Sequence, residues 1–264
     1  MQWNVGTSGF SYDEWAGSFY PEDLPGAERL AYYAERLPSV EINNTFYRMP
    51  KPALLDGWAG QVPNDFALAL KAPRRITHIK KIRDVADDVG YLDKVASSLG
   101  EHRGPILFQL PPYLRKDVAL LRDFLALLPP GCRAVLEFRH ASWLDDEVYE
   151  ALRAARVALC VADAGEDFDA PLLATAPFGY LRLRRQDYDE ATLASWAERI
   201  RTQPWQDVMV FFKHEEAGIG PALAARFRSL FVDGRSLRAP AWRADADRPA
   251  ATAAPPRRRA SRRV

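Results

Sequence analysis

Eight short runs rich in apolar and β-branched residues punctuate the chain, and their recurrence constrains the fold more than any other feature. They are Trp3–Thr7, Val40–Asn43, Phe66–Lys71, Ile106–Leu110, Ala134–Phe138, Val157–Val161, Tyr180–Arg184 and Val208–Phe212. Their starts lie 23 to 40 residues apart, enough for one helix and two loops between neighbours. Helical periodicity fills six of the gaps, over Ala27–Leu37, Asp84–Leu99, Asp117–Leu128, Leu144–Arg156, Thr192–Thr202 and Pro221–Phe231. Ser142 with Asp145 three residues on reads as a capping box opening one of these helices. Strand and helix in alternation make a parallel sheet, and eight such units at this length close into a (β/α)8 barrel. One barrel is expected over residues 1–232. An open doubly wound sheet is the rival, but Gly6-Thr7-Ser8-Gly9 lacks the spacing of a dinucleotide-binding turn, and a long aromatic loop, Ser11–Pro25, follows it.

Composition narrows the partners. The formal charge is +1, yet nine Arg and two Asp stand from Arg235 onward, so residues 1–234 carry −6. A mildly acidic barrel argues against a surface built to track nucleic-acid backbone. Residues 233–264 are rich in Ala, Pro and Arg without periodicity and read as a disordered tail. Five Arg in its last eight residues make it, with the barrel mouth, the place where nucleic acid would be met. No run of apolar residues is long enough to cross a bilayer, and Met1-Gln2-Trp3-Asn4-Val5 has no signal-peptide pattern. Cys132 and Cys160 are the only cysteines. They read as reduced thiols, and the chain is expected to be cytoplasmic, with no membrane partner and no cofactor.

Alternate residues of a barrel strand face the lumen, which is usually filled by branched aliphatics. Here the alternation sorts polar residues onto the inner face. Val40 and Ile42 face the helices and leave Glu41 and Asn43 inside. Phe66, Leu68 and Leu70 leave Lys71 inside, and the fourth strand adds Gln109. Leu136 and Phe138 leave Glu137 and Arg139, while Leu181 and Leu183 leave Tyr180, Arg182 and Arg184. These residues sit late in their strands, at the C-terminal mouth where barrel enzymes work. Asp163 ends the sixth strand, and Lys213, His214 and Glu215 end the eighth. A salt-bridge plug is the structural alternative, but buried ion pairs seldom improve on apolar packing, so the cluster points to a site.

The motifs Gly6-Thr7-Ser8-Gly9-Phe10-Ser11-Tyr12, Val40-Glu41-Ile42-Asn43-Asn44-Thr45-Phe46-Tyr47, Lys71-Ala72-Pro73, Ile76-Thr77-His78, Gln109-Leu110-Pro111-Pro112, Glu137-Phe138-Arg139-His140 and Tyr180-Leu181-Arg182-Leu183 cover nearly the whole barrel. Together they resemble the YecE-like family, also called domain of unknown function 72. At the eighth strand, Phe211-Phe212-Lys213-His214-Glu215 departs from the Asn pair that many relatives carry. The resemblance implies the barrel fold and no particular chemistry.

Three chemistries fit the residues. In the first, an enzyme of hydrolase, lyase or isomerase type acts on an anionic substrate bearing phosphate or carboxylate. Arg139, Arg182 and Lys71 grip the anion, with Arg182 as the principal anchor. Glu41 or Glu137, with Lys71, transfers protons. Asn43 and Gln109 orient hydroxyls, His78 and Lys213 complete the binding set, and Tyr12 and Trp15 cover the mouth or tuck onto the barrel rim. In the second, a divalent ion in a hydrolase or isomerase is held by Asp163, His140, His214 and Glu215 with Glu137. In the third, a basic mouth takes nucleic-acid phosphates while aromatic residues stack on bases.

Overall fold

The computed structural model describes residues 1–165, 170–185 and 187–231. Eight parallel strands, β1 Gln2–Ser8, β2 Ser39–Ile42, β3 Ala67–Lys71, β4 Arg103–Gln109, β5 Ala134–Glu137, β6 Ala158–Asp163, β7 Phe178–Leu183 and β8 Asp207–Phe212, form a closed barrel in sequence order. β1 seals the ring against β8 from Gln2↔Asp207 to Thr7↔Phe212. Closure removes every free sheet edge, and each strand lies within three residues of its sequence-expected bounds.

Among the described residues seven α-helices pack outside: α1 Arg29–Ala34, α2 Pro52–Ala59, α3 Ala86–Ala96, α4 Val118–Ala126, α5 Asp146–Ala155, α6 Glu190–Arg201 and α7 Ile219–Ser229. Helix α2 was not expected. It is eight residues long, begins at Pro52, carries Gly57 in its interior and buries only Leu55 and Trp58, so it shows little periodicity. Between β6 and β7 no helix occurs among the described residues. Asp117, Asp145 and Asp189 cap α4, α5 and α6 by accepting the amides of Leu120, Glu147 and Thr192. Each such cap is worth about 1 kcal/mol. The cap of α5 is therefore Asp145 and not Ser142, whose hydroxyl accepts the Lys116 amide at 2.8 Å instead. The expected tail, 233–264, lies outside the described residues.

Strand parity builds two cores. Leu68, Leu70, Ile106, Phe108, Leu136, Leu181 and Leu183 face outward and are buried under the helices. Inside the barrel, Ala69, Leu107, Val135, Cys160, Phe178, Tyr180, Met209 and Phe211 form a separate apolar cluster. Between β3 and β4 the register slips, from Leu68↔Arg103 to Leu70↔Ile106. Gly104 sits in that slip, where a Cβ would lie 2.9 Å from the backbone of Leu68 and Ala69, so only glycine permits the approach. Beyond β3 the chain makes a π turn at Arg75–Ile79 and then holds Lys81, Ile82 and Asp84 at positive φ. A β-branched residue at φ 59° is strained, and Ile82 is held there by its burial and by its amide bond to the Ile76 carbonyl.

A candidate active site at the barrel mouth

Arg182 on β7 reaches across the lumen and joins two carboxylates from strands that it does not adjoin. Its Nη2 donates to Glu41 Oε1 on β2 at 3.0 Å, and its Nη1 donates to Glu137 Oε2 on β5 at 2.7 Å. All three side chains are buried, with Arg182 2% exposed and both carboxylates 0%. Glu41 also accepts Ser8 Oγ at 2.6 Å and the Tyr180 hydroxyl at 2.7 Å. Glu137 also accepts Gln109 Nε2 at 2.8 Å and Arg139 Nε at 2.6 Å. Each carboxylate thus uses three of roughly four acceptor positions.

Burial alone would raise both carboxyl pKa values, but the ion pairs and hydrogen bonds win. Arg182, Ser8, Tyr180 and Lys71 hold Glu41 below the usual carboxylate range. Arg182, Arg139 and Gln109 bring Glu137 down to about 2. Arg182 answers in kind: burial disfavours its charge, and the two glutamates more than restore it. Both carboxylates carry ion pairs and hydrogen bonds that favour their charged form, which makes them poor proton acceptors, while Arg182 commits both Nη atoms to them and keeps only Nε unbonded.

Above the triad opens a cavity of about 400 Å³, lined by Gly9, Phe10, Tyr12, Asn43, Phe46, Lys71, Arg182, Lys213 and Glu215 among others. Gly9 turns the chain out of β1 at φ 92°, and its amide donates to the Glu41 carbonyl at 2.7 Å. Tyr12 then folds back so that its hydroxyl donates to the Ser8 carbonyl at 2.7 Å. The Lys71 ammonium makes no hydrogen bond or ion pair among the described residues, while the residue's backbone carbonyl accepts Thr45 Oγ1 at 2.7 Å. Its Nζ lies 4.5 Å from the Phe46 ring centroid. Desolvation first, then the charge of Arg182, lowers its pKa from 10.5 to about 8 against the pull of Glu41 and Glu137. Lys213 is also lowered, by burial and by Arg184, and stands 3.9 Å from Glu215. Two buried donors on cavity-lining side chains, Asn43 Nδ2 and Arg182 Nε, have no hydrogen-bond partner among the described residues, a costly state.

The structure brings together Glu41, Glu137, Arg139, Arg182 and Gln109 in one network and sets Asn43, Lys71, Lys213, Tyr12 and Glu215 around the cavity. Trp15 is elsewhere. It is fully buried among Tyr12, Phe19 and Tyr20 and does not line the cavity, so it covers no mouth. His78 packs edge-on against Phe46 at 5.0 Å and bonds Thr77 Oγ1; burial and Lys71 keep its imidazole neutral-leaning. The expected metal set does not converge. Asp163 has the outward parity and accepts Tyr188 OH at 3.0 Å and Trp196 Nε1 at 3.1 Å in the helix layer. His140 Nδ1 is taken by the Ser142 amide and hydroxyl, and His214 Nε2 bonds the Arg185 carbonyl. Among the described residues no three His, Cys, Asp or Glu side chains gather as a metal group. Sequence reasoning gave no role to Ser8 or Phe46 and left Tyr180 without a partner. Parity places Tyr180 inside and could have found Ser8 as well, while Phe46 lies in a 3-10 turn after β2 with no such signal.

A closed barrel of eight parallel strands with helices packed outside, and a cavity lined by Lys71, Arg182, Lys213 and Glu215 at its C-terminal mouth, defines a TIM-type barrel protein. The family model described as "Protein of unknown function DUF72" matches residues 4–245, and the chain belongs to that family. It is similar to the UPF0759 protein YecE of Escherichia coli (strain K12), 32% identical over 116 residues, 44% of this chain and 43% of that protein. It is also similar to the UPF0759 protein YunF of Bacillus subtilis (strain 168), 26% identical over 145 residues, half of each chain. The matched stretches thus span about half the length of these curated relatives or less. A crystal structure of a DUF72 family protein from Thermotoga maritima superposes with a TM-score of 0.77 at 26% identity, covering 87% of this chain and 99% of that one. Another, from Enterococcus faecalis V583, gives 0.71 at 16% identity over 87% and 97%, a likeness of fold.

Proposed function

We propose that the chain is an enzyme that binds a small anionic organic substrate in the mouth cavity and moves protons at Lys71. The observation that carries this reading is the unpaired Lys71 ammonium, which stands in the cavity beside Arg182 and Lys213 while both nearby carboxylates are committed to Arg182. Glu41, Glu137 and Glu215 face Arg139, Arg182, Lys71 and Lys213, three negative groups against four positive, so a small anion completes the balance. Asn43 Nδ2 and Arg182 Nε supply donors already stripped of water. A base whose pKa stands near neutrality is suited to proton transfer. The glutamates, expected from sequence to do that work, serve in this reading to hold Arg182 and to set the field at Lys71.

The test is thermal stabilisation by inorganic phosphate and by short-chain carboxylates at constant ionic strength. Saturable stabilisation is expected, and Lys71→Met should weaken it by about tenfold or more, the equivalent of ~1.4 kcal/mol. Equal binding by wild type and Lys71→Met would sink the reading.

A second reading, binding of single-stranded nucleic acid at the rim, has one observation in its favour. Arg74 and Lys81 stand exposed and, among the described residues, without ion pairs on the loop after β3, with the exposed Tyr113 ring centroid 5.3 Å from Lys81 Nζ. It predicts oligonucleotide retention that falls steeply with salt and that Arg74→Ala with Lys81→Ala removes.

A further inference from the structure

We propose that Lys71 is a covalent nucleophile, whose amine condenses with the carbonyl of a small anionic oxo compound, a 2-oxo carboxylate or a keto phosphate, held in the mouth cavity. This deepens the anion-binding reading and rests on it, because the cavity must first hold the anion.

Three observations converge on the amine. Its nitrogen is free: within a site that contains two buried glutamates it has neither an ion pair nor a hydrogen bond among the described residues, only the Phe46 ring at 4.5 Å. That freedom follows from Arg182, which occupies an oxygen of each glutamate. Next, desolvation and the neighbouring positive charges of Arg182 and Lys213 act on it together, and a lysine desolvated or set beside another cation is the arrangement that makes an amine nucleophilic. With a pKa of about 8, roughly a tenth of the amine is unprotonated at neutral pH, against about one part in a few thousand for an ordinary lysine. Finally, Asn43 Nδ2 and Arg182 Nε are orphaned donors on side chains lining the same cavity. They match the needs of an oxyanion or carboxylate lying beside the carbonyl under attack.

The step balances without an oxidant or a reductant. The Lys71 lone pair forms a bond to the carbonyl carbon, and the carbonyl π pair moves to oxygen. A proton passes from nitrogen to that oxygen and gives the neutral carbinolamine. A second proton, drawn from solvent, lets the hydroxyl leave as water while the nitrogen lone pair forms the C=N bond. Amine, carbonyl and one proton become an iminium and one water. The iminium restores the positive charge that the ammonium carried, so the field of the triad is met again, and it withdraws electrons from the adjacent carbon. That is the electronic demand of a lyase or isomerase acting next to a carbonyl.

The experiment traps the iminium. The full-length protein is incubated at neutral pH with pyruvate in one arm and dihydroxyacetone phosphate in the other, reduced with sodium borohydride and mapped by peptide mass spectrometry. Phosphate and pyruvate binding are followed in parallel by thermal stabilisation. A reduced adduct on Lys71 is expected, saturating with probe and about tenfold or more above that on Lys116, whose ammonium is paired with Asp145. The arm that labels more strongly distinguishes carboxylate from phosphate as the recognised anion. Lys71→Arg should keep the charge and anion stabilisation while losing the adduct, and Lys116→Arg should change nothing. Because the label is mapped on the wild-type chain, the result stands even if Lys71→Arg folds poorly. Saturable anion binding with no adduct on Lys71 in either arm overturns the covalent role and leaves the anion site standing. Equal labelling of Lys71 and Lys116 overturns it as well. No saturable binding of phosphate or pyruvate removes both readings together.

Discussion

The two ends of the lumen fill the same kind of space by opposite means. Along the inward face of β7, Phe178 gives way to Tyr180 and then to Arg182. At the lower end Phe178, Leu107, Val135, Met209 and Phe211 pack as an apolar cluster, with polar contact at its foot, where Arg133 lies over the Phe178 ring and pairs with Asp207. At the upper end a network of ion pairs and hydrogen bonds takes over, with Tyr180 as the joint because its ring sits in the apolar cluster while its hydroxyl donates to Glu41. The lower end can trade one side chain for another of equal volume. The upper end cannot lose Arg182 without stranding two buried carboxylates. Apolar packing would have filled the mouth at lower desolvation cost, so the difference marks where the fold accepts a cost that packing alone does not explain.

The largest expected effect that tests this contrast is Arg182→Met. It leaves Glu41 and Glu137 buried without their shared cation and should cost about 3–5 kcal/mol, read from chemical denaturation. Met209→Leu, a volume-conserving change in the lower cluster, should cost under about 1.5 kcal/mol. Similar losses for the two would erase the distinction.

Acid titration gives a slightly smaller effect with a definite sign. Glu137 has a folded pKa lowered from 4.5 to about 2, so its contribution is complete above about pH 4.5 and disappears as pH falls toward 2. The contribution is on the order of 3 kcal/mol. Glu137→Gln should flatten that acid limb of a stability-against-pH curve measured in urea, and an unchanged slope would mean that the carboxylate is not held by its cations.

The smallest effect runs in the opposite direction. A lysine whose folded pKa is lowered to about 8 destabilises the fold while protonated, and the cost is relieved as pH rises from about 8 to 10.5. Lys71→Met should therefore raise stability at neutral pH by about 1–2 kcal/mol and remove an alkaline rise that wild type shows. A destabilised Lys71→Met would place the ammonium within the supporting network instead of apart from it.

Much of this was legible in the sequence because the barrel obeys a period of two. Once Leu181 and Leu183 are assigned to the helices, Arg182 has nowhere to go but the lumen, and the same logic places Glu41 and Glu137. Parity also carries the correction for Asp163: counted from Leu159 and Val161, it belongs to the outward set, and its position at a strand end outweighed that count in the sequence reading. What parity cannot supply is which atoms meet. Whether Arg182 serves a ligand or two glutamates depends on reach across the ring, and whether Lys71 stays unpaired depends on how Arg182 is spent. Helix α2 escaped notice because Pro52 and Gly57 leave it too short for a periodic stripe, and whether Trp15 covers the mouth or tucks onto the rim stayed open because a loop aromatic carries no period that says which way it faces.

The bridge from Arg182 to Glu41 joins residues 141 positions apart in the chain, and that to Glu137 joins residues 45 apart. Contacts so distant in sequence are late events, because chain closure must be achieved before they return any free energy. Until β7 docks, the guanidinium and both carboxylates keep their water, and the ends of β2 and β5 have no reason to hold their glutamates inward. The triad is then a latch that only a completed ring can fasten, so a nascent or partly unfolded barrel carries the residues of the mouth without its chemistry.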